Sequence, residues 1–558
     1  MALDADQLDS TWPVLLEHGV ARHRAGDLAA AEHLYRQVLE HLPSQPDAIN
    51  LLGVIALQTG RVESAISLGR KACALDANDA SYHLNLGNAL RAARQLSAAA
   101  TEFAAAVALR PSYAEAHNNL GLALGDQNRL DEAIEAFRRA VALQPSAAKI
   151  HNNLGSALRR AGRNDEADES CRKAIAAEPG FAPAHNNFAN VLLELDETES
   201  AIASFREAIR LDPDYADAFA NLCLAEYRAG NFDAAVTAGR TAIQLAPDLA
   251  AAHWNLSHTL LVLGDLAAGF AEYEWRIHCP PPVAPPPPPP GVERWIGQPL
   301  AGKTILLQAE QGLGDTIQFI RYARLLEDRG AKVILQCPQS LASLLRTVPG
   351  IAALANGTLT ADFFCPLMSL PLRAGEYPNQ IPYIAADPGL TAKWQALVGD
   401  QRDVLNVGLV WAGGPAYAND RKRSVPLSAM APLAAVPCAR FHSLQVGRAA
   451  GQIQSTQQLP IADHAQLIQD FADTAALIDH LDLVITVDTA VAHLAGAMGK
   501  PVWVLLPRVP DWRWMLDRAD TPWYPTMRLF RQRRDGEWAP VIEAIVEELS
   551  RCRNIRRK

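Results

Sequence analysis

The sequence has no apolar run approaching the ~20 residues that a membrane-spanning helix needs. Its first residues, Met1-Ala2-Leu3-Asp4-Ala5-Asp6, have no apolar core, so they read as neither a secretory signal nor a transit peptide. Eight cysteines, at 73, 171, 223, 279, 337, 365, 438 and 552, make no Cys-x-x-Cys pair and have no local histidine at metal spacing. They read as buried thiols in a reducing cytoplasm, which is the expected location. Positive charge is also scarce: 51 Lys+Arg against 61 Asp+Glu leave a net charge of -10, which argues against nucleic acid as the main partner. The basic tail Arg551, Arg553, Arg556, Arg557, Lys558 reads as a solvated helix end. A disordered composition is excluded by 49% hydrophobic and 20% charged residues. At 558 residues the chain has room for several cores, or a repeat array and a core.

What is present begins with a repeat. Small residues recur every 34 positions: Gly19, Gly53, Gly87, Gly121, Gly155, Ala189, Cys223 and Ser257. Twelve further on stand Ala31, Ala65, Ala99, Ala133, Ala167, Ala201, Ala235 and Gly269. Sixteen further on the residue is bulky in Tyr35, Phe103, Phe137, Phe205 and Tyr273, with Gly69, Cys171 and Gly239 departing. Proline closes most units, at 43, 111, 145, 179, 213, 247 and 281, with Ala77 the exception. Small residues allow two antiparallel helices to approach, the aromatic is expected to fill the gap to the next pair, and proline stops the second helix. These columns resemble the tetratricopeptide repeat, in eight copies over residues 12–283, and such an array is a protein-binding superhelix.

A further column holds Asn85, Asn119, Asn153, Asn187, Asn221 and Asn255, with Leu51 breaking it. Asparagine is a poor helix former, so six in register need a reason. Two are open: bonds between neighbouring helices, or a ladder of amides gripping the backbone of an extended peptide. Runs such as His117-Asn118-Asn119-Leu120-Gly121 and His151-Asn152-Asn153-Leu154-Gly155 resemble the repeat domain of the O-linked GlcNAc transferases. That resemblance implies a protein acceptor held by the asparagine column.

Residues 280–290, PPPVAPPPPPP, read as a stiff polyproline spacer. Beyond it, apolar runs alternate with helical stretches, the pattern of parallel α/β folding. Strands are expected at 304–309, 332–336, 407–411, 440–444, 483–487 and 502–506. They fall into two lobes, 291–400 and 401–538, with a final helix and tail, 539–558, that could pack back on the first.

Two motifs carry chemistry. Gln308-Ala309-Glu310-Gln311-Gly312-Leu313-Gly314-Asp315 follows a strand and opens a helix, so the glycines permit close backbone approach and Asp315 is either a cap or a catalytic group. Ile317 stands where a dinucleotide fingerprint needs its third glycine, and no Walker lysine follows. The second motif runs from Asp482 to Pro501 and puts Asp488, Thr489 and His493 at the carboxyl end of a buried strand, where open α/β sheets bind ligands. Between them, Trp411 ends a strand that leads to the basic run Asn419-Asp420-Arg421-Lys422-Arg423, suited to a departing phosphate.

Together these resemble the lipopolysaccharide heptosyltransferases and, more distantly, the catalytic half of the O-linked GlcNAc transferases, both GT-B enzymes of two Rossmann-like lobes. The resemblance implies Asp315 as base, with Gly312, Gly314, Trp411, Arg421, Lys422, Asp488, Thr489 and His493 around a nucleotide sugar. Ala490 replaces a family glycine and the GlcNAc transferases' histidine loop is absent, so UDP-GlcNAc is not implied as donor. No cofactor and no metal is expected; the Asp212-Pro213-Asp214 triplet lies in a repeat turn. The expected activity is protein O-glycosylation of Ser or Thr, and by family analogy the acceptor is a bacterial surface protein such as flagellin. A lipid or saccharide acceptor, or a non-catalytic scaffold, are the rival readings.

Overall fold

The structure, a computed structural model, describes residues 12–355, 360–399, 404–414 and 420–552. Asn419 and the tail from Arg553 to Lys558 lie outside these. The chain divides into two compact units, 1–218 and 219–558.

The first unit is built from helical hairpins, beginning with Trp12–Arg24 and Leu28–His41 and ending with Ala182–Glu194 and Thr198–Leu211. The columns explain the packing, with one difference from expectation: the aromatic covers the glycine of its own hairpin. A Cβ on Gly87 would stand 2.6 Å from the Phe103 ring, and one on Gly121 2.7 Å from Phe137. Where the aromatic is replaced by Gly69, the next repeat compensates, because Leu86 lies against that glycine. Three of the closing turns in this unit are fastened by histidine in the same way: Nε2 of His117, His151 and His185 donates to the carbonyls of Pro111, Pro145 and Pro179 at 3.0, 2.8 and 2.9 Å. Asp214 N–H donates to Asp212 Oδ1, so that acidic triplet is a turn.

The second unit takes in the last two hairpins, from the helix Ala216–Ala229 onward, together with both α/β lobes. Phe270 and Tyr273 of the last hairpin share one apolar core with Phe319 and Trp512 of the lobes. Compactness therefore divides the chain two repeats earlier than the end of the 34-residue period. The polyproline segment does not stand free either. It lies beside the first lobe, where Pro285, Pro286 and Pro287 line a cavity of about 440 Å³ with Glu310, Gln311 and Thr316.

Both sheets are wholly parallel. The first contains β1 (Glu293–Arg294), β2 (Thr304–Gln308), β3 (Lys332–Gln336), β4 (Ile351–Leu354) and β5 (Phe363–Pro366), in the order β1-β5-β2-β3-β4. The second contains β6 (Leu405–Val410), β7 (Ala439–Ser443), β8 (Ile461–Ala462), β9 (Leu483–Val487), β10 (Val502–Leu506) and β11 (Met527–Arg531), in the order β11-β10-β9-β6-β7-β8. Counted within its lobe that order is 3-2-1-4-5-6, whose topological switch falls between β6 and β9. The arrangement is consistent with a GT-B-like domain. The helix Ala539–Cys552 does not return to the first lobe as expected. Val541, Ile542, Ile545 and Leu549 form one apolar stripe that meets Val407, Leu409 and Ile485 of the second sheet.

Candidate active site

In the first lobe, β2 runs into Glu310, Gln311 and Gly312 before the helix Leu313–Phe319. Gln311 adopts a positive φ of 58°, a strained setting for a non-glycine residue, and its side-chain oxygen accepts from the Tyr273 hydroxyl at 2.7 Å. Gly312 is the N-cap, and its N–H donates to Asp315 Oδ2 at 2.7 Å. Asp315 is therefore not the N-cap residue itself but the third residue of the helix, whose carboxylate reaches back to cap the turn, and its side chain stays 15% exposed. Burial raises its carboxyl above the ordinary value, opposed by the Arg513 guanidinium and the Gly312 N–H. Glu310, a second carboxylate that could have served as base, is committed elsewhere: it takes a bidentate bond from fully buried Arg276 at 2.9 and 2.7 Å, and the Met368 N–H at 2.8 Å.

In the second lobe, Asp488 and Thr489 leave the carboxyl end of β9 and open the helix Ala490–Ala497, beside the switch point. Thr489 Oγ1 lies 3.1 Å from Thr486 Oγ1. His493 is buried, its Nδ1 3.0 Å from the Tyr524 hydroxyl and its ring stacked on Trp514. Burial, reinforced by Arg513, pulls it down to about 3, so it is neutral at working pH. The two motifs meet through Gly314: a Cβ there would stand 2.8 Å from His493 Cδ2 and 3.5 Å from Ala490 Cα. Gly314 lets the two helices touch.

Arg513 joins the carboxylates and was not read from the sequence. Its Nη2 donates to Asp315 Oδ1, its Nε to Gln318 Oε1 at 2.9 Å and its Nη1 to Asp511 Oδ1 at 2.7 Å. Its guanidinium also lies over the Trp512 ring, 4.3 Å from the centroid. Against burial, Arg513 holds Asp511 below the usual carboxylate range. Asp488 moves the other way: burial and the Asp511 charge push it up to about 6, against Arg423 and Arg513. The fully buried Trp514 indole interacts with Asp488 as well and opposes that rise. The sequence signal for this cluster was Asp511-Trp512-Arg513-Trp514, two charges set among tryptophans outside any strand or long helix.

Other expected residues are placed differently. Trp411 is a fully buried core residue whose backbone N–H donates to Gln445 Oε1. Of the basic run, Arg423 acts on Asp488, whereas half-buried Lys422 is lowered by burial and by Arg228, Arg421 and Arg508. Buried His442 bonds His464 and Asn406 within the sheet and sits at about 4, far from serving as base. In the asparagine column, Nδ2 of Asn85, Asn119, Asn153 and Asn187 donates to Oδ1 of Asn50, Asn88, Asn118 and Asn152 at 3.1, 3.0, 2.9 and 2.9 Å. Asn255 donates to the Ala220 carbonyl at 2.8 Å. Asn221, half-buried, occupies the same register. Bonds between neighbouring repeats, one of the two readings, are therefore present, and each bond uses one of an amide's two N–H donors.

Residues 16–80, 84–145, 120–182 and 186–250 match the tetratricopeptide repeat, and residues 468–506 match glycosyltransferase family 9 (heptosyltransferase). The second match spans β9, Asp488, Thr489, His493 and β10. The chain is similar to Protein FlbA of Caulobacter vibrioides, with 28% identity over 320 residues, 52% of this chain and 53% of that protein. It thus spans about half the length of that curated relative. Among solved structures, MamA is 29% identical with a TM-score of 0.27, covering 29% of this chain and 96% of its own. TTC0263, a thermophilic tetratricopeptide-repeat protein of Thermus thermophilus, is 26% identical with a TM-score of 0.29, covering 33% of this chain and 99% of its own. The chain carries tetratricopeptide repeats and a glycosyltransferase domain, and none of its described helices is long and apolar enough to cross a membrane.

Proposed function

We propose that this chain is a protein O-glycosyltransferase: it transfers a sugar from a nucleotide donor to a Ser or Thr hydroxyl of a polypeptide, such as a flagellin-like surface protein, docked on its repeats. The observation that carries the reading is that Asp315 of one lobe and Asp488 of the other converge on Arg513. In the step, the sugar C1–O bond to the diphosphate breaks as the acceptor oxygen bonds C1, and the hydroxyl proton passes to Asp315. A carboxyl raised by burial is a stronger base than an exposed one. Arg513 orients Asp315 through Oδ1, and the Gly312 N–H holds Oδ2. The amino end of the helix Ala490–Ala497 favours the leaving diphosphate, as do Arg421, Lys422 and Arg423. His493 packs and positions this helix; being neutral, it adds no charge. The chemistry uses no metal and no cofactor, and takes place in the cytoplasm.

A second reading has one observation in its favour, the heptosyltransferase description of the matched family: the acceptor is then a saccharide or lipid-linked sugar and the repeats only dock the enzyme. The purified chain is incubated with a panel of nucleotide sugars, with and without added Mg²⁺ or Mn²⁺, and with protein or lipopolysaccharide acceptors. Sugar on Ser or Thr at a metal-independent rate supports the proposal. Transfer to saccharide alone replaces it with the second reading, and no donor binding at all leaves a scaffold.

A further inference from the structure

Outside the α/β lobes, one point in the first unit brings three different ligand chemistries together: Cys73 Sγ, a ring nitrogen of His83 and a Glu102 carboxylate oxygen lie within 4.8 Å of one another. They come from three successive helices, Val62–Leu75, Ala80–Ala92 and Leu96–Leu109. Sequence spacing hid the group, because Cys73 and His83 belong to different repeats and meet only when the hairpins stack.

The array supplies its own comparisons. At the position of Cys73 the other repeats carry Leu39, Val107, Val141, Ile175, Ile209, Ile243 and Ile277, so the thiol is a lone departure from an aliphatic column. At the position of Glu102 a carboxylate recurs once, as Glu272, and there His253 pairs with it while Ile243 replaces the thiol. His83 is also prepared as a ligand. Its Nε2 donates to the Ala77 carbonyl at 3.2 Å, which leaves Nδ1 facing Glu102 Oε2 at 2.7 Å. A ring fixed by a carbonyl on one nitrogen is the usual arrangement around a bound metal, and here a metal would take the place of the proton that Nδ1 shares with Glu102. All three residues are partly open to solvent, so an ion can enter.

We propose that Cys73, His83 and Glu102 form a site for a thiolate-preferring divalent cation, Zn²⁺ foremost, with water as fourth ligand. Tetrahedral zinc at ~2.0–2.1 Å from N and O and ~2.3 Å from S needs these atoms ~3.3–3.6 Å apart. The His83–Glu102 contact, now 2.7 Å, opens by about half an ångström, and a pair at the 4.8 Å limit closes by about an ångström, side-chain adjustments that three rotatable groups can make. Binding ties the second hairpin to the third.

The test uses the full chain, untagged, with Zn²⁺ by calorimetry and Co²⁺ by absorbance. One equivalent of Zn²⁺ and a thiolate-to-cobalt charge-transfer band are expected. Cys73→Ile, the residue found in sister repeats, is expected to abolish the band and weaken that equivalent at least ~100-fold, since even outer partners of a metal site change affinity by 10–100-fold. Glu102→Ala copies Ala136 at a partly exposed position and keeps the test valid if Cys73→Ile melts early; it is expected to weaken zinc while His253→Phe does not. A parent chain that binds no zinc, or binding that either ligand variant leaves unchanged, overturns the proposal.

Discussion

Asp315 and Asp488 are both carboxylates just past a parallel strand, yet their surroundings differ. Asp315 is held by an N–H and a guanidinium, while Asp488 faces the like charge of Asp511 and is pushed up to about 6. A base acts only as the hydroxyl attacks, so Asp315→Asn is expected to slow single-turnover transfer ~100 to 10,000-fold with donor affinity nearly intact. Lys422→Ala is expected to lower both, because a phosphate-binding cation also meets the donor ground state. If Asp315→Asn transfers at the parent rate, Asp315 is only a cap. Glu310 and His442 are then poor substitutes, one locked to Arg276 and the other inside the sheet. Asp488 makes a separate prediction. Its folded pKa lies above its unfolded one, so the native state binds more protons between pH ~4 and ~6 and loses stability as pH rises through that window. Asp488→Asn removes this loss. Its melting temperature is expected to exceed the parent's above pH 6 and to converge with it near pH 4; a gain that is equal at both pH values would place the effect in packing.

At the scale of elements, the site depends on one helix pair. Gly314→Ala puts a methyl 2.8 Å from His493 Cδ2. It is expected to cost ~1–3 kcal/mol in urea unfolding and to slow transfer, because the helix carrying Asp315 must shift. In the repeats, each inter-repeat amide bond contributes ~0.5–1.5 kcal/mol and each asparagine costs ~0.5 kcal/mol of helix propensity. Changing Asn119, Asn153 and Asn187 together to Ala is therefore expected to lower stability modestly, by at most ~3 kcal/mol. Weaker acceptor binding without any change in melting would instead give the column to the peptide alone. How far such elements were legible follows their physics. Strands at 332–336, 483–487 and 502–506 match the expectation to the residue, because strands inside a parallel sheet read as unbroken apolar runs. The edge strands β1, β4, β8 and β11 escaped notice: two have only two residues, and β4 and β11 carry exposed positions, with Arg528 facing solvent; the interior strand β5 was missed as well, a run of four residues that ends on Pro366. Asp315, Asp488 and His493 stood in recognisable strand-turn-helix contexts, whereas Asp511 and Arg513 sit on a single 3₁₀ turn, Trp512–Trp514, too short to show a period, just before positive-φ residues Met515 and Asp517.

For the whole molecule, the repeat period and the core disagree on where the α/β part begins. Sequence puts the boundary near residue 283, where the 34-residue columns stop. The apolar core instead carries Leu261, Val262, Phe270 and Tyr273 into the lobes, and the Tyr227 hydroxyl donates to the Pro510 carbonyl at 3.1 Å. The decisive contact is Arg276, which is fully buried and forks onto Glu310 two residues before the Gly312 cap. Removing one member of a buried pair costs ~3–5 kcal/mol, because the other is left charged and desolvated. A fragment cut at 291 loses Arg276 and leaves Glu310 in that state, beneath the strained turn that presents Asp315. It also strips Tyr273 from Gln311 and exposes the apolar faces of Phe319 and Trp512. A fragment starting at 212, in the turn before the seventh hairpin, keeps all of these contacts. The 212–558 chain is expected to be soluble, to melt in one transition and to bind donor as the full chain does, while 291–558 aggregates or melts well below it. Donor binding and melting equal in the two fragments would show that the last hairpins only rest on the lobes; the difference expected here makes them part of the same folding unit as the lobes.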